Sequence, residues 1–289
     1  MNPNPLAAVV LSVLLLAASA PAPAGVPSEE LDKVVSSLPV SGTIEVDPEG
    51  RVAGYAIKDA EAYDPAVLDM LARNIIRWNF TPVVIDGVAR QARFDMYLRL
   101  QAKPLDDKRY AVEIASAAFG KKEAAKPHTR VTSDEMRPPR YPLDEMRRGV
   151  GGTVVLALRI GPDGKVADVV AEQTNLKAVG RQGAMQQWRK HFEQEALAAA
   201  RTWTFVPPTA GAAAGERAWE VRTPVVFIPF GAKQPGPGEW ESYVPGSRRE
   251  IPWRAKKKDL ADNGVDALPG GGLYPMEQPL HLLTKLNPG

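Results

Sequence analysis

The sequence predicts an α+β protein built from two small units, each a three-stranded antiparallel sheet with one or two helices packed on one face. Three features of the sequence predict this class. A pair of alternating apolar segments joined by a P-x-G turn occurs twice, at 40–57 and 153–171, which is typical of β-hairpins. A segment with helical periodicity follows each pair. Each helix then leads through a W-x-F-x-P motif into a further alternating segment, so both halves repeat one order of elements.

The first unit is predicted at 28–100. Its hairpin has strands at 40–46 and 52–57, and Asp64 and Pro65 fit the N-cap and first position of the helix that follows. Apolar residues at helical spacing form the stripe that this helix buries: Val67, Leu68, Leu71, Ile75 and Trp78. The remaining elements are the aromatic motif and a closing strand, at 77–82 and 90–100.

The second unit is predicted at 138–230. A short helix begins at Pro142, and a hairpin with strands at 153–160 and 166–171 follows it. A longer helix is indicated by aromatic and small residues three or four apart: Trp188, Phe192, Ala196 and Trp203. The last strand contains Pro224, which has no N–H donor and therefore belongs on a sheet edge or at a bulge.

The W-x-F-x-P motif occurs once in each unit, as Trp78 and Phe80 and as Trp203 and Phe205. Residues two apart in extended chain point to the same side, so each Trp and Phe should face the same core. We expect these rings to anchor the cores. Stacking on a ligand is the alternative.

The composition argues against enzyme chemistry. The 289 residues include no cysteine, which excludes disulfides, thiolate metal sites and thiol nucleophiles. The three histidines, His128, His191 and His281, lie in separate segments, and no catalytic or phosphate-binding motif accompanies them. A net charge of +2 does not indicate a nucleic-acid partner. The sequence therefore predicts a non-enzymatic protein with no catalytic residue, no metal site and no cofactor.

The N-terminus, 1–24, is predicted to be a signal peptide. Its apolar segment at 6–18 is shorter than the roughly 20 residues that a spanning helix needs. The small-x-small pattern Ala18-Ser19-Ala20 fits a cleavage site, although no basic residue precedes the apolar segment. We therefore expect export from the cytoplasm. An uncleaved membrane anchor is the alternative.

Two further segments lack the sustained hydrophobic periodicity that is typical of a helix or a strand. Residues 101–137 are polar and of mixed charge, and we predict a linker with a short strand at 110–114. Residues 231–289 are rich in Pro and Gly, and we predict an extended tail that three aromatic residues can dock: Trp240, Trp253 and Tyr274. The tail also carries a basic run at 248–258, which is either a solvated surface or a contact for anionic envelope polymer such as peptidoglycan.

The second unit resembles the C-terminal domain of the TonB family. The motifs that carry the resemblance occur in the family's order over about 95 residues: Pro139-x-Tyr141-Pro142, Gly152-Thr153-Val154, Pro162-Asp163-Gly164-Lys165-Val166, 195–207 and 225–230. The first unit matches more loosely and lacks the Tyr-Pro dipeptide, so it is a TonB-like repeat. The resemblance implies a periplasmic protein linked to energy-coupled transport across the envelope.

The resemblance also implies how a partner binds. TonB domains hold periplasmic segments of TonB-dependent outer-membrane receptors by adding the receptor's short motif to a sheet edge as an extra strand. We expect the last strand to provide this edge, with five partner-binding residues: Val221, Arg222, Thr223, Val225 and Phe227. An ordinary edge protected by Pro224 is the alternative for this strand. Whether the protein dimerises is left open.

The N-terminal segment departs from the family pattern. A force-transducing member has an inner-membrane anchor with a Ser and a His on one helical face, whereas the apolar segment here has Ser12 and no His. A long Pro-rich spacer is also absent before the first unit. The resemblance therefore implies binding, and force transduction requires that the signal be retained as an inner-membrane anchor. The alternative function is a periplasmic scaffold that binds cell-wall polymer or another envelope protein without force transduction.

Overall fold

The computed structural model describes residues 10–11, 26–85, 87–106, 109–120, 128–254, 262–278 and 280–288. The predicted signal peptide lies outside the described residues, except for Val10 and Leu11. No helix in the described ranges is both long enough and apolar enough to cross a membrane.

The described chain contains many short and long strands and four α-helices. The strands are β1 (Val10–Leu11), β2 (Val35–Val46), β3 (Val52–Ile57), β4 (Val84–Ile85), β5 (Val88–Ala89), β6 (Ala92–Pro104), β7 (Tyr110–Gly120), β8 (Thr132–Glu135), β9 (Gly152–Ile160), β10 (Val166–Leu176), β11 (Thr204–Val206), β12 (Trp219–Phe227), β13 (Glu241–Tyr243) and β14 (Tyr274–Pro275). The α-helices are α1 (Ser28–Leu31), α2 (Pro65–Ile75), α3 (Leu143–Arg147) and α4 (Gln182–Ala200).

The fold is α+β, as predicted. The first main sheet has the order β1-β7-β6-β2-β13, with β3 also paired to β2, and the second has the order β10-β9-β12-β14. All these pairs are antiparallel. Helix α2 packs in the core of the first sheet and α4 in the core of the second. Each sheet therefore contains the three strands that the sequence predicts, together with strands from elsewhere in the chain.

Both units also share their turn geometry. In the first unit Phe80 donates its backbone N–H to the carbonyl of Gly50 at 2.7 Å, and in the second Phe205 donates to Gly164 at 2.8 Å. Each glycine has a positive φ, 86° and 75°, and a Cβ on it would overlap the carbonyl oxygen of the same Phe. The P-x-G turn and the W-x-F-x-P motif thus form one structural unit, which explains why they recur together.

The aromatic residues of the motif lie in the cores, as predicted. Trp78 and Phe80 are each 1% exposed, and Trp203 and Phe205 are similarly buried. Phe119 of β7 packs edge-to-face on both rings of the first pair, with centroids 5.9 and 5.1 Å apart. Such pairs favour a single core arrangement beyond simple burial.

The described part of the segment at 101–137, which was predicted as a linker, is mostly strand. Strand β6 continues to Pro104, and β7 pairs with β6 along its length. The short strand predicted at 110–114 is the beginning of β7. Small residues such as Ala117 and Ala118 follow, and they are buried without producing the strong apolar alternation that identifies a strand.

In the described parts of the tail at 231–289 the elements are short, and these parts pack against both units. Strand β13 pairs with β2, and β14 pairs with β12. Trp240 packs on the first core, and Leu280 is buried in it at 1% exposed. Trp253 and Tyr274 pack in two smaller clusters. The tail is therefore a connecting segment between the units, a role that its aperiodic sequence did not predict.

Candidate functional site

The five residues predicted to bind a partner all lie on β12, and their side chains are buried. Val221, Val225 and Phe227 belong to the core beneath α4, and Thr223, on the same face of the strand, is 1% exposed. These side chains are held by the fold and cannot reach a partner. What β12 can offer to a partner is its backbone.

Arg222 points to the opposite face of the sheet. Its guanidinium donates to both carboxylate oxygens of Glu172, at 2.7 and 3.1 Å, and Arg248 of the tail binds the same carboxylate. Glu172 and Arg222 are 1% and 6% exposed. Removing one member of a buried ion pair leaves an uncompensated charge and costs about 3–5 kcal/mol. Arg222 therefore has a structural role in joining β12, β10 and the tail.

The outer edge of β12 is partly occupied by the tail. In β14, Pro275 lies opposite Val221 and Tyr274 opposite Arg222. On either side of these pairs, the carbonyl of Pro224 accepts a hydrogen bond from Gly271 at 2.8 Å, and that of Glu220 accepts from Met276 at 3.0 Å. The predicted edge is thus present, with a short strand of the same chain lying along it.

The direction of these bonds explains Pro224. Because its carbonyl oxygen faces the tail, its backbone nitrogen faces the tail as well, and the missing N–H removes no bond from the ladder with β9. By the same alternation the backbone of Val226 faces outward, and no strand pairs with it there among the described residues. The backbone hydrogen bonds from the tail to this edge therefore end at Pro224, and beyond them Gly270 packs against the side chain of Val226.

Side chains of the tail segment alternate across the sheet. Leu273 packs on the core beneath α4. Tyr274 points to the other face, where its ring meets Tyr97 of the first unit edge-to-face at 5.7 Å. Met276, on that same face, is 4% exposed and packs with Ala157 and Ile251. Sequence reasoning missed Leu273 and Met276, because single apolar residues after three glycines form no local pattern that indicates a strand.

The equivalent edge in the first unit is filled differently. The closing strand there is β6, and β7 pairs with it from Asp95 to Pro104. Two ladder pairs hold β14 on β12, whereas a full strand holds the corresponding place in the first unit. The two units therefore differ most at the edge for which a binding role was predicted.

The tail also crosses the other edge of the second sheet. Leu176 at the end of β10 and Val244 exchange two backbone hydrogen bonds of 3.0 and 2.8 Å. Arg189 of α4 donates to the carbonyls of Val244 and Pro245, and its burial lowers its pKa. By contrast, β3 in the first sheet pairs only with β2 among the described residues, so its outer side has no strand neighbour there.

A cleft of about 1060 Å³ runs alongside the occupied edge. Its lining includes Asp95 and Tyr97 of β6, Arg130, Arg222 and the tail residues 270–275. Burial, followed by the charge of Asp95, raises the pKa of Tyr97 to about 12, so its hydroxyl is neutral at physiological pH. The cleft is thus bordered by the tail segment on one side and by β6 of the first unit on another.

The described arginines of the basic run bind carboxylates of the same chain. Arg248 pairs with Glu172, Arg249 with Glu193 at 2.8 Å, and Arg254 with Glu220. Residues 255–258 of this run lie outside the described residues.

One histidine of the second unit contacts a buried carboxylate. His191 lies 2.7 Å from the buried Glu145, a contact that joins α4 to α3. No group of three or more metal-binding side chains occurs among the residues that the structure describes. Comparisons of the chain with family models, with curated proteins and with solved structures find no match.

Proposed function

We propose that the chain is a non-enzymatic envelope protein that binds an extended segment of a protein partner along the outer edge of β12. The resemblance to the TonB family supplies the class of partner, a periplasmic segment of a TonB-dependent outer-membrane receptor. The supporting observation is that this edge already accepts an extended segment, namely the chain's own β14. Binding at this edge would link the protein to energy-coupled transport.

The chemistry of the edge suits strand addition. Outward carbonyls at Glu220 and Pro224 are acceptors, and Arg222 and Val226 present both a donor and an acceptor at strand spacing. Each backbone hydrogen bond adds about 0.5–1.5 kcal/mol net, so a bound segment needs several of them together with side-chain contacts. Specificity then comes from the side chains that alternate above and below the sheet.

The test is binding of fluorescent synthetic peptides, copied from periplasmic segments of outer-membrane receptors, to the purified chain. Val226→Pro deletes an outward N–H beyond the tail contact, and we expect it to weaken binding at least about tenfold. Val226→Thr keeps the N–H and is the matched control. Equal affinity for both variants, with thermal unfolding unchanged, would show that this edge is not the binding surface.

Export is part of the same proposal. We expect the protein in the periplasm, with an N-terminus generated by cleavage near Ala20. The mass of the N-terminal peptide, isolated from the envelope fraction, measures the position of cleavage. A retained N-terminal segment would instead indicate an inner-membrane anchor, and force transduction would then be a candidate function.

A scaffold is the second candidate, and the packing of the tail on both units favours it. Under this alternative the full chain sediments with purified peptidoglycan and binds no receptor peptide. The peptide-binding experiment therefore separates the two candidates.

A further inference from the structure

We propose that tail residues 270–276 are an exchangeable internal ligand of the β12 edge, which a partner segment displaces, and that their side-chain pattern defines the segments that bind. This inference rests on the proposed function, because it concerns the occupant and the specificity of the same edge. We call residues 270–276 the strap.

The backbone ladder that holds the strap is short. Its ladder with β12 consists of two residue pairs, flanked by the bonds from Gly271 to Pro224 and from Met276 to Glu220. Gly270, Gly271 and Gly272 contribute no side chains to the contact. Segments with few backbone pairs and few buried side chains open locally at much lower free energy than the whole fold.

The chain on both sides of the strap is held more firmly. Before it, Glu241 forms ion pairs with Arg99 and Lys177 at 2.8 and 2.9 Å. After it, the indole of Trp78 donates to the carbonyl of Leu286 at 3.0 Å, and Leu280 is buried in the first core. The strap can therefore leave β12 while the rest of the tail stays docked. A tethered strap returns at high effective concentration, so a partner must outcompete it.

The strap also shows which side chains the edge accepts. Leu273 faces the core beneath α4, whereas Tyr274 and Met276 face the opposite side, toward Tyr97 and toward Ala157. A partner segment that takes the same path needs an apolar residue, then an aromatic residue, then any residue that can remain extended, then an apolar residue. Proline is acceptable at the third position, because Pro275 lies between two hydrogen-bonded positions.

The absence of cysteine allows the strap to be locked chemically. Val221 and Pro275 are opposite each other at a position without ladder hydrogen bonds, where Cα atoms lie about 4.5 Å apart, within the range of a disulfide. The double variant Val221→Cys, Pro275→Cys should therefore form a disulfide when oxidised and release the strap when reduced.

The experiment measures binding of a fluorescent synthetic peptide, PGGGLYPMEQ (residues 269–278), by anisotropy. We expect oxidation of the double variant to weaken binding at least about tenfold and reduction to restore it, with each single-cysteine variant insensitive to reductant. In the otherwise native chain, Met276→Ala should loosen the strap and tighten peptide binding at least about tenfold. Leu283→Ala, at an exposed tail position, is the control. A peptide carrying Tyr274→Ala should bind more weakly.

The outcomes separate this inference from the proposed function. If a receptor peptide binds the oxidised and reduced double variant equally, binding does not require displacement of the strap and the inference is overturned, while the proposed function stands only for the part of the edge at Val226, beyond the strap ladder. If the tail peptide binds only the reduced form and no receptor peptide binds either form, the strap inference is supported and the assigned class of partner is wrong. If neither peptide binds the reduced form or Met276→Ala, both proposals fail.

Discussion

At the scale of single residues, two glycines explain why the sequence repeats its turn and its aromatic motif. The carbonyls of Gly50 and Gly164 each accept a hydrogen bond from the Phe that follows the helix of the same unit, at a point where no side chain fits. Each glycine therefore fixes the point at which the chain after the helix contacts the hairpin of its unit. The turn and the W-x-F-x-P motif recur together in both units because the hydrogen bond between them requires the glycine of the turn and the Phe of the motif.

A substitution at Gly164 separates lack of space from backbone strain. Gly164→Ala combines a positive φ of 75° with overlap at Phe205, and we expect it to lower the free energy of unfolding by about 2–4 kcal/mol. Gly149 has a similar φ of 68° in open space, so Gly149→Ala should cost only about 1–2 kcal/mol. Urea unfolding measures both, and equal losses would mean that the contact with Phe205 contributes nothing.

At the scale of elements, the tail pairs with the W-x-F-x-P motif of the first unit, as β8 pairs with that of the second. Strand β11, which contains Phe205, pairs with β8, and the indole of Trp203 donates to the carbonyl of Arg137 at 2.8 Å. In the first unit Phe80 forms a bridge with Leu282, and Trp78 donates to Leu286. Among the described residues, the segment that takes the place of β8 in the first unit lies about 200 residues later in the chain.

Substitution of Leu280 tests whether this distant segment stabilises the first unit. Leu280 is 1% exposed and Leu283 is 67% exposed. We expect Leu280→Ala to lower the free energy of unfolding by about 2–5 kcal/mol and Leu283→Ala to change it by less than about 0.5 kcal/mol. Chemical denaturation of the two variants measures the difference. A negligible effect of Leu280→Ala would mean that the end of the tail is not docked in solution.

The elements that sequence reasoning found are those with local periodicity. Both hairpins, α2 with its Asp64 cap, α4 and β12 were predicted, because alternation, helical spacing and turn residues are all contained in short windows. The extent of β7 was missed because small buried residues hide its alternation. The strap was missed because single apolar residues such as Met276 fill places made by distant chain, which no local pattern encodes. The candidate edge was thus predictable, and its occupant was not.

At the scale of the whole molecule, the tail joins the two units through a charged contact. Glu241 of β13 binds Arg99 of the first sheet and Lys177 next to the second. Burial alone would raise the pKa of the Glu241 carboxyl, but the two cations outweigh it and hold the pKa below its ordinary value of 4.5. The anionic form is therefore favoured in the folded protein.

This contact predicts weaker docking of the tail in acid. A carboxyl whose pKa is lower in the folded state stabilises the fold at pH values above its unfolded-state pKa. This stabilisation is lost as the pH falls through the folded-state pKa. We expect Glu241→Gln to cost about 1.5–3 kcal/mol at neutral pH and progressively less below about pH 4.5. Glu239, which is largely exposed, provides the matched control Glu239→Gln. Thermal unfolding between pH 3 and 7 measures this, and a cost that is constant across that range would contradict it.

The central claim is that the outer edge of β12 binds an extended partner segment. Hydrogen exchange of the Val226 amide tests it most directly, because this outward-facing residue has no strand partner on that side among the described residues. We predict that a saturating receptor peptide slows exchange at Val226 and leaves the amides of β3 unchanged. Unchanged exchange at Val226, or protection that falls on β3 instead, would contradict the account.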